Sequence, residues 1–262
     1  MPKNPHLNRI LNVLPSRSPE NDWSFEHALA AGVVTRAPVP VSKDLREALW
    51  KINDQQATGS CVGWGTADGV IRWHMVKAGR LGQAVLLSPR FIWMAAKETD
   101  ALTAVPTTFI ERVGTTLKAA LDIARKFGTV PDSTMPFATG KLYTGDQQAF
   151  FALAATRKIA SYFNLGTNLA TWRAWIAEHG PILTRLGVDQ TWDNAKATQG
   201  KLDTYLPNTV RGGHAVALVG YTADRFIVRN SWGTTAWGDL GFGYASNAYA
   251  QAAFTEAYGV TI

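Results

Sequence analysis

Gly59-Ser60-Cys61-Val62-Gly63-Trp64-Gly65-Thr66-Ala67-Asp68-Gly69-Val70-Ile71-Arg72-Trp73-His74-Met75-Val76 is the stretch from which the rest of the chain is best read. Val62, Thr66, Val70, Trp73 and Val76 recur at three- and four-residue intervals, which predicts a helix with one buried stripe. Gly63, Gly65 and Gly69 weaken that helix unless it packs too closely for side chains. A lone cysteine is by default an inert buried residue. Cys61, however, opens this helix, beside unpaired backbone N–H groups and the positive end of the helix dipole, which favour thiolate over thiol.

The chain has 262 residues and one cysteine, so intrachain disulfides and cysteine-rich metal sites are excluded, and no metal or other cofactor is expected. At 46% apolar and 18% charged residues it can bury a sizeable core. The formal net charge of +6 is a basic surface that could attract an acidic partner. No run approaches the ~18–20 apolar residues of a membrane span. The N-terminal stretch is broken by Asn8 and Asn12 and stopped by Pro15, unlike a secretory signal. Cytoplasmic synthesis is therefore expected, with export by a non-classical route left open.

Residues 1–37 read as an extension with one short helix, Ser24 to Ala31, and Pro38-Val39-Pro40 reads as an extended connector. A brief helical turn is expected from Ser42 through Arg46, then helices at Pro89–Lys97 and Thr115–Lys126. The second half changes character. Arg157–Phe163, Pro181–Val188, Ala215–Tyr221, Phe226–Arg229 and Gly241–Ala245 are β-branched and aromatic runs between turn signals, with a helix at Asn168–Glu178. The pattern is α+β: a helical lobe at about 50–140 and a β-rich lobe at about 141–262.

A cysteine nucleophile needs a proton acceptor that later serves as the acid, and histidine suits both tasks. His6 and His27 lie in the extension and read as solvated. His74 sits about 20 Å farther along the Cys61 helix at ~1.5 Å per residue, out of reach of the sulfur. His179 ends a helix, where its charge suits the dipole. His214 stands at the mouth of a buried strand, in Arg211-Gly212-Gly213-His214-Ala215-Val216, where the glycines leave room for a substrate backbone. Asn230 ends the next strand, so its side-chain carbonyl could orient the imidazole, with Trp232 roofing that hydrogen bond.

Asp54-Gln55-Gln56-Ala57-Thr58-Gly59-Ser60-Cys61, Gly212-Gly213-His214-Ala215-Val216 and Asn230-Ser231-Trp232-Gly233 resemble the cysteine, histidine and asparagine blocks of papain-like cysteine proteases, in that family's order. The separations slightly exceed the family guide of ~130–150 residues. Asp44-Leu45-Arg46, Leu87-Ser88-Pro89, Gly114 to Gly128 and Met135-Pro136-Phe137 are fainter matches, and the likeness covers about residues 38–262. It implies a two-lobe fold, with a helical N-terminal lobe, an antiparallel, β-barrel-like C-terminal lobe and the active-site cleft between them. It implies catalysis by Cys61, His214 and Asn230, with Gln55 and the Cys61 N–H holding the oxyanion. Gly114 and Gly213 would border an extended protein or peptide substrate, and Trp232 the leaving-group side. In place of the family's usual Cys-Gly-Ser-Cys-Trp stands Thr58-Gly59-Ser60-Cys61-Val62, which suits a bacterial- or phage-type member without disulfides.

Pro181 to Leu186 aligns loosely with a strand beside the main specificity pocket; Arg185 there reads first as a solvated strand residue and, in that register, as a group that would favour acidic side chains. The expected activity is a thiol endopeptidase acting through a thioester acyl-enzyme. A transpeptidase or ligase passing the same acyl group to an amine, and a catalytically idle binding module, are the alternatives. Residues 1–37, joined just ahead of the catalytic lobe, are expected either to lie across or near the cleft and restrain activity or to form a flexible surface extension.

Overall fold

Gly212–Tyr221 (β5) is apolar on both faces because both faces are covered. Ala215, Ala217 and Val219 pack in one core with Cys61, Val62, Val70 and Met75. Val216 and Leu218 pack in a second core with Trp172, Trp175 and Tyr249. A strand buried on both sides reads as a continuous hydrophobic run, as this one does. The computed structural model describes residues 8–99, 111–138 and 143–262, and His6 lies outside them.

The elements in chain order are α1 (Phe25–Ala30), β1 (Lys43–Asp44), α2 (Cys61–Thr66), α3 (Arg72–Lys77), α4 (Pro89–Thr99), α5 (Leu117–Lys126) and α6 (Gln147–Ala155). There follow β2 (Ser161–Asn164), α7 (Leu169–Glu178), β3 (Ile182–Val188), β4 (Lys201–Leu202), β5, β6 (Arg225–Arg229), β7 (Phe242–Ser246), α8 (Asn247–Ala253) and β8 (Phe254–Thr261). The strands join in the order β2-β8-β3-β5-β6-β7-β4, with β1 pairing β5 off that path.

The expected α+β pattern is present, with one correction. The β4–β7 pair is parallel, so the sheet is mixed rather than wholly antiparallel. Its pairing forms a path with two ends, so barrel closure is not seen among the described residues.

Local signals explain several helices. Ser24 and His27 form a capping box around α1, so His27 is tied to the backbone rather than merely solvated. The Thr116 and Asn168 side chains accept backbone N–H bonds at the starts of α5 and α7. Gly128, at φ +88°, carries the chain out of α5.

The expected single helix after Cys61 is instead α2 and α3 joined by a π-helical segment, Ala67–Ile71. Its glycines answer to packing. A Cβ at Gly63 would strike the Pro89 carbonyl, one at Gly65 would lie 2.9 Å from Leu183, and one at Gly69 would lie 3.0 Å from Ala217. The helical turn expected at Ser42–Arg46 is strand β1, because Lys43 and Asp44 pair with Tyr221 and Gly220. Three further elements, α6, α8 and β8, were not expected, although Asp146 and Ser246 cap the starts of α6 and α8 with their side chains. Helix α6 buries Phe150 and Ala154, and Phe150 meets Phe91 of α4 edge-on at 5.1 Å. No helix among the described residues is long and apolar enough to cross a membrane.

Candidate active site

Helix α2 places Cys61 at its first turn, and β5 runs directly beneath it. Contrary to the thiolate expected at this helix start, the thiol is fully buried, and burial pushes its pKa up to about 11, offset in part by backbone hydrogen bonds with Ala215, Val62 and Cys61 itself. The sulfur therefore lies at the backbone of the residue that follows His214.

His214 is also fully buried, which pulls its pKa down to about 4; Asn230 opposes that shift and the Arg9 charge adds to it. The His214 Nε2 lies 2.8 Å from Asn230 Oδ1. Asn230 Oδ1 also accepts the Ser231 N–H at 2.8 Å. That second bond identifies the oxygen, so the imidazole nitrogen facing it carries the proton. Nδ1 is left as the acceptor, and it is buried without a hydrogen-bond partner among the described residues.

Tryptophans wall the ring. Trp232 lies 5.0 Å from it at 37°, and Trp192 meets it perpendicularly at 5.6 Å. Trp237 stacks on Trp192 at 4.6 Å and donates its indole N–H to the Trp192 carbonyl. The repeated Trp-Gly pairs after Asn230 were the only sequence signal for this wall, and Trp192 had none.

Gln55 is buried and its amide is oriented from both ends. Ser231 Oγ donates to Oε1 at 2.8 Å, and Nε2 donates to the Thr58 carbonyl at 3.0 Å, leaving one Nε2 hydrogen. Gln56, the neighbouring candidate, is exposed and adopts φ +56°.

Residues 9–14 run beside this site, bonded to backbone on both sides of them. The Asn12 amide donates to the Arg112 carbonyl, and a Cβ at Gly114 would fall on the Asn12 backbone carbonyl. Val13 N–H donates to Gly213 O at 3.1 Å, and Leu14 N–H donates to Thr115 O at 3.2 Å. Arg185 Nε donates to the Val13 carbonyl at 3.2 Å and its Nη1 to Thr255 Oγ1 at 2.8 Å. Upstream, Arg9 pairs with Asp54 and its guanidinium carbon lies 5.7 Å from the Trp232 ring centroid. Gly114, Gly213, Arg185 and Trp232 thus surround one bound segment. Arg9 and Asp54 belong to the same set of contacts and were not anticipated; an Arg in a Pro- and Asn-rich extension carries no local signal. Among the described residues no group of three or more His, Cys, Asp or Glu side chains is placed to hold a metal ion.

Comparison with known proteins agrees with this fold. Xylellain, a cysteine protease from Xylella fastidiosa, superposes with a TM-score of 0.80 at 19% identity over 97% of this chain and 96% of that one. Digestive procathepsin L2 of Tenebrio molitor larval midgut gives 0.69 at 19% identity, over 100% of this chain and 81% of that one. The procathepsin B S9 of Trypanosoma congolense gives 0.69 at 16% identity, over 99% and 88%. No curated protein matches the sequence. The model of the papain family of cysteine proteases matches residues 39–258, from just past the N-terminal extension into the last strand, and the chain belongs to that family of hydrolases.

Proposed function

We propose that the chain is an endopeptidase that cleaves through Cys61, His214 and Asn230 by way of a thioester acyl-enzyme. One arrangement supports this reading above all. His214 is held at Nε2 by Asn230 with Nδ1 unengaged, while the Cys61 sulfur lies at the adjoining Ala215 backbone. The Cys61 proton passes to Nδ1 and the thiolate attacks the peptide carbonyl. The remaining Gln55 Nε2 hydrogen and the Cys61 N–H hold the oxyanion, His214 returns the proton to the leaving amine, and water then releases the acyl group. Titration with an epoxide thiol inhibitor tests this: one equivalent should abolish peptide cleavage, and Cys61→Ala should neither bind it nor cleave. Cleavage by Cys61→Ala would overturn the reading.

The same reading makes residues 1–37 an internal restraint. Residues 9–14 pair with both walls of the groove, which is where a substrate would lie. Their direction is opposed to a substrate's. The leaving amine must meet His214, whose ring is covered by Trp232, and Arg9 lies on that side while Leu14 lies beyond Gly114. The chain therefore enters where a substrate's C-terminal part would leave, so no peptide bond of the arm is presented in the productive sense. Arg185 holds a carbonyl of the arm, and in its absence we assign it to a substrate's carbonyl or acidic side chain. A substrate profile of acidic against aliphatic residues at that subsite, before and after Arg185→Glu, separates the two.

A further inference from the structure

We propose that Asp54, the carbonyls of Gln56 and Trp232 and the face of the Trp232 indole form a guanidinium subsite that selects arginine just after the scissile bond. This rests on the endopeptidase reading and adds a substrate class to it. Arg9 displays the chemistry. Its Nη1 lies 2.5 Å from Asp54 Oδ1 and its Nη2 3.1 Å from Oδ2, a paired-fork geometry. The same nitrogens reach the Gln56 carbonyl at 2.8 Å and the Trp232 carbonyl at 3.5 Å. The side chain is only 10% exposed, although it is a long cation near the surface.

The acceptors are held by the protein rather than gathered by Arg9. Gln56 N–H donates to Asp54 Oδ1 at 2.7 Å, and the left-handed φ of +56° at Gln56 lets one residue direct its N–H to Asp54 and its carbonyl to the guanidinium. Asp54 and Trp232 form an antiparallel bridge, so carboxylate and indole are fixed to each other by backbone. A planar five-donor fork can serve a carboxylate and two carbonyls at once, which an ammonium cannot, so arginine is favoured over lysine.

The position follows from the proton path. The leaving amine takes its proton from His214, and Trp232 covers that ring at 5.0 Å. Residues after the scissile bond therefore run along Trp232 toward Asp54, within one or two residues of the cut.

Arg9→Ala in the full chain removes the occupant and keeps the acceptors. Calorimetric titration of this variant with arginyl-alanine amide, alanyl-alanine amide and glutamyl-alanine amide should give at least about tenfold tighter binding of the arginyl peptide, as a charge-assisted pair implies. The wild type, whose own Arg9 fills the site, should bind it poorly, and Arg9→Ala/Asp54→Asn should lose the discrimination. Peptides differing only in the two residues after the cut should show the same order in kcat/KM for Arg9→Ala/Val13→Pro, in which the bond from Val13 to Gly213 is lost as well and the groove is opened to substrate. Equal binding of the three amides by a folded Arg9→Ala protein overturns the subsite. If no peptide is cleaved at all, the endopeptidase reading fails, while the binding series still decides the subsite.

Discussion

Arg229, the residue before Asn230, donates from Nη2 to Asp68 Oδ2 at 2.8 Å, although 161 positions separate the pair. Asp68 lies in the π segment that follows Cys61 and is 1% exposed; Arg229 is 3% exposed. Arg72 holds the other oxygen at 2.9 Å, and Trp50 donates to the Asp68 carbonyl at 2.7 Å. The strand carrying the asparagine is thereby fixed to the helix carrying the cysteine.

Removing Asp68 leaves two arginines buried without their carboxylate. Asp68→Ala is expected to lower unfolding free energy by about 3–5 kcal/mol, the usual cost of stranding one side of a buried ion pair. Urea unfolding measures it, and a midpoint equal to the wild type would show the network to be neutral.

Acid should destabilise the fold in a defined window. Burial pulls His214 down to about 4, and burial followed by the His179 charge does the same to His74. Between pH 6.5 and 4 the unfolded chain protonates these rings while the folded protein keeps them neutral. Stability is therefore complete above about pH 6.5, falls as pH is lowered through the window, and levels off below about 4. Each ring contributes on the order of 3 kcal/mol to the total loss. Unfolding midpoints at pH 7.0, 5.5 and 4.5 follow it, and His74→Leu should shrink the loss by about half.

Gln55 offers a functional test independent of the nucleophile. Gln55→Ala deletes one oxyanion donor and should lower kcat about 10²–10³-fold with little change in KM. Conversely, Gln56→Ala should keep kcat within a few-fold, because Gln56 is exposed and contributes backbone atoms alone. The reverse ranking would move the oxyanion role to the neighbouring residue.

Release of the arm should raise turnover and change the thiol's chemistry together. Val13→Pro removes the N–H that bonds Gly213, and deletion of residues 1–37 removes the whole segment. With the arm docked, burial holds the Cys61 thiol near 11, so alkylation of the full chain should be slow at pH 7 and rise about tenfold per pH unit. Both changes should speed alkylation at neutral pH and increase kcat/KM. Unchanged kinetics for both would leave the arm as a surface extension.

Much was legible because its causes are local. The Ser24, Thr116 and Asn168 caps, the apolar run of β5 and the turn glycines act within a few residues, so helices and strands could be placed from them. The order of the cysteine, histidine and asparagine blocks was enough to indicate the family, and its model matches residues 39–258. Strand β1 was misread because two residues carry no periodicity; only their pairing with Tyr221 and Gly220 makes them a strand. The close approach of Gly65 to Leu183 and of Gly69 to Ala217 is likewise a matter of tertiary packing.

The chain's own residues determined which groups could do chemistry: one cysteine, one histidine at a strand mouth, one asparagine on the next strand. Tertiary structure alone decided that Val13 pairs with Gly213 and Leu14 with Thr115, that Asp68 meets Arg229, and that Asp54 closes on Arg9. These contacts join positions tens to hundreds of residues apart, and their energies depend on burial and mutual orientation, which a linear pattern does not encode.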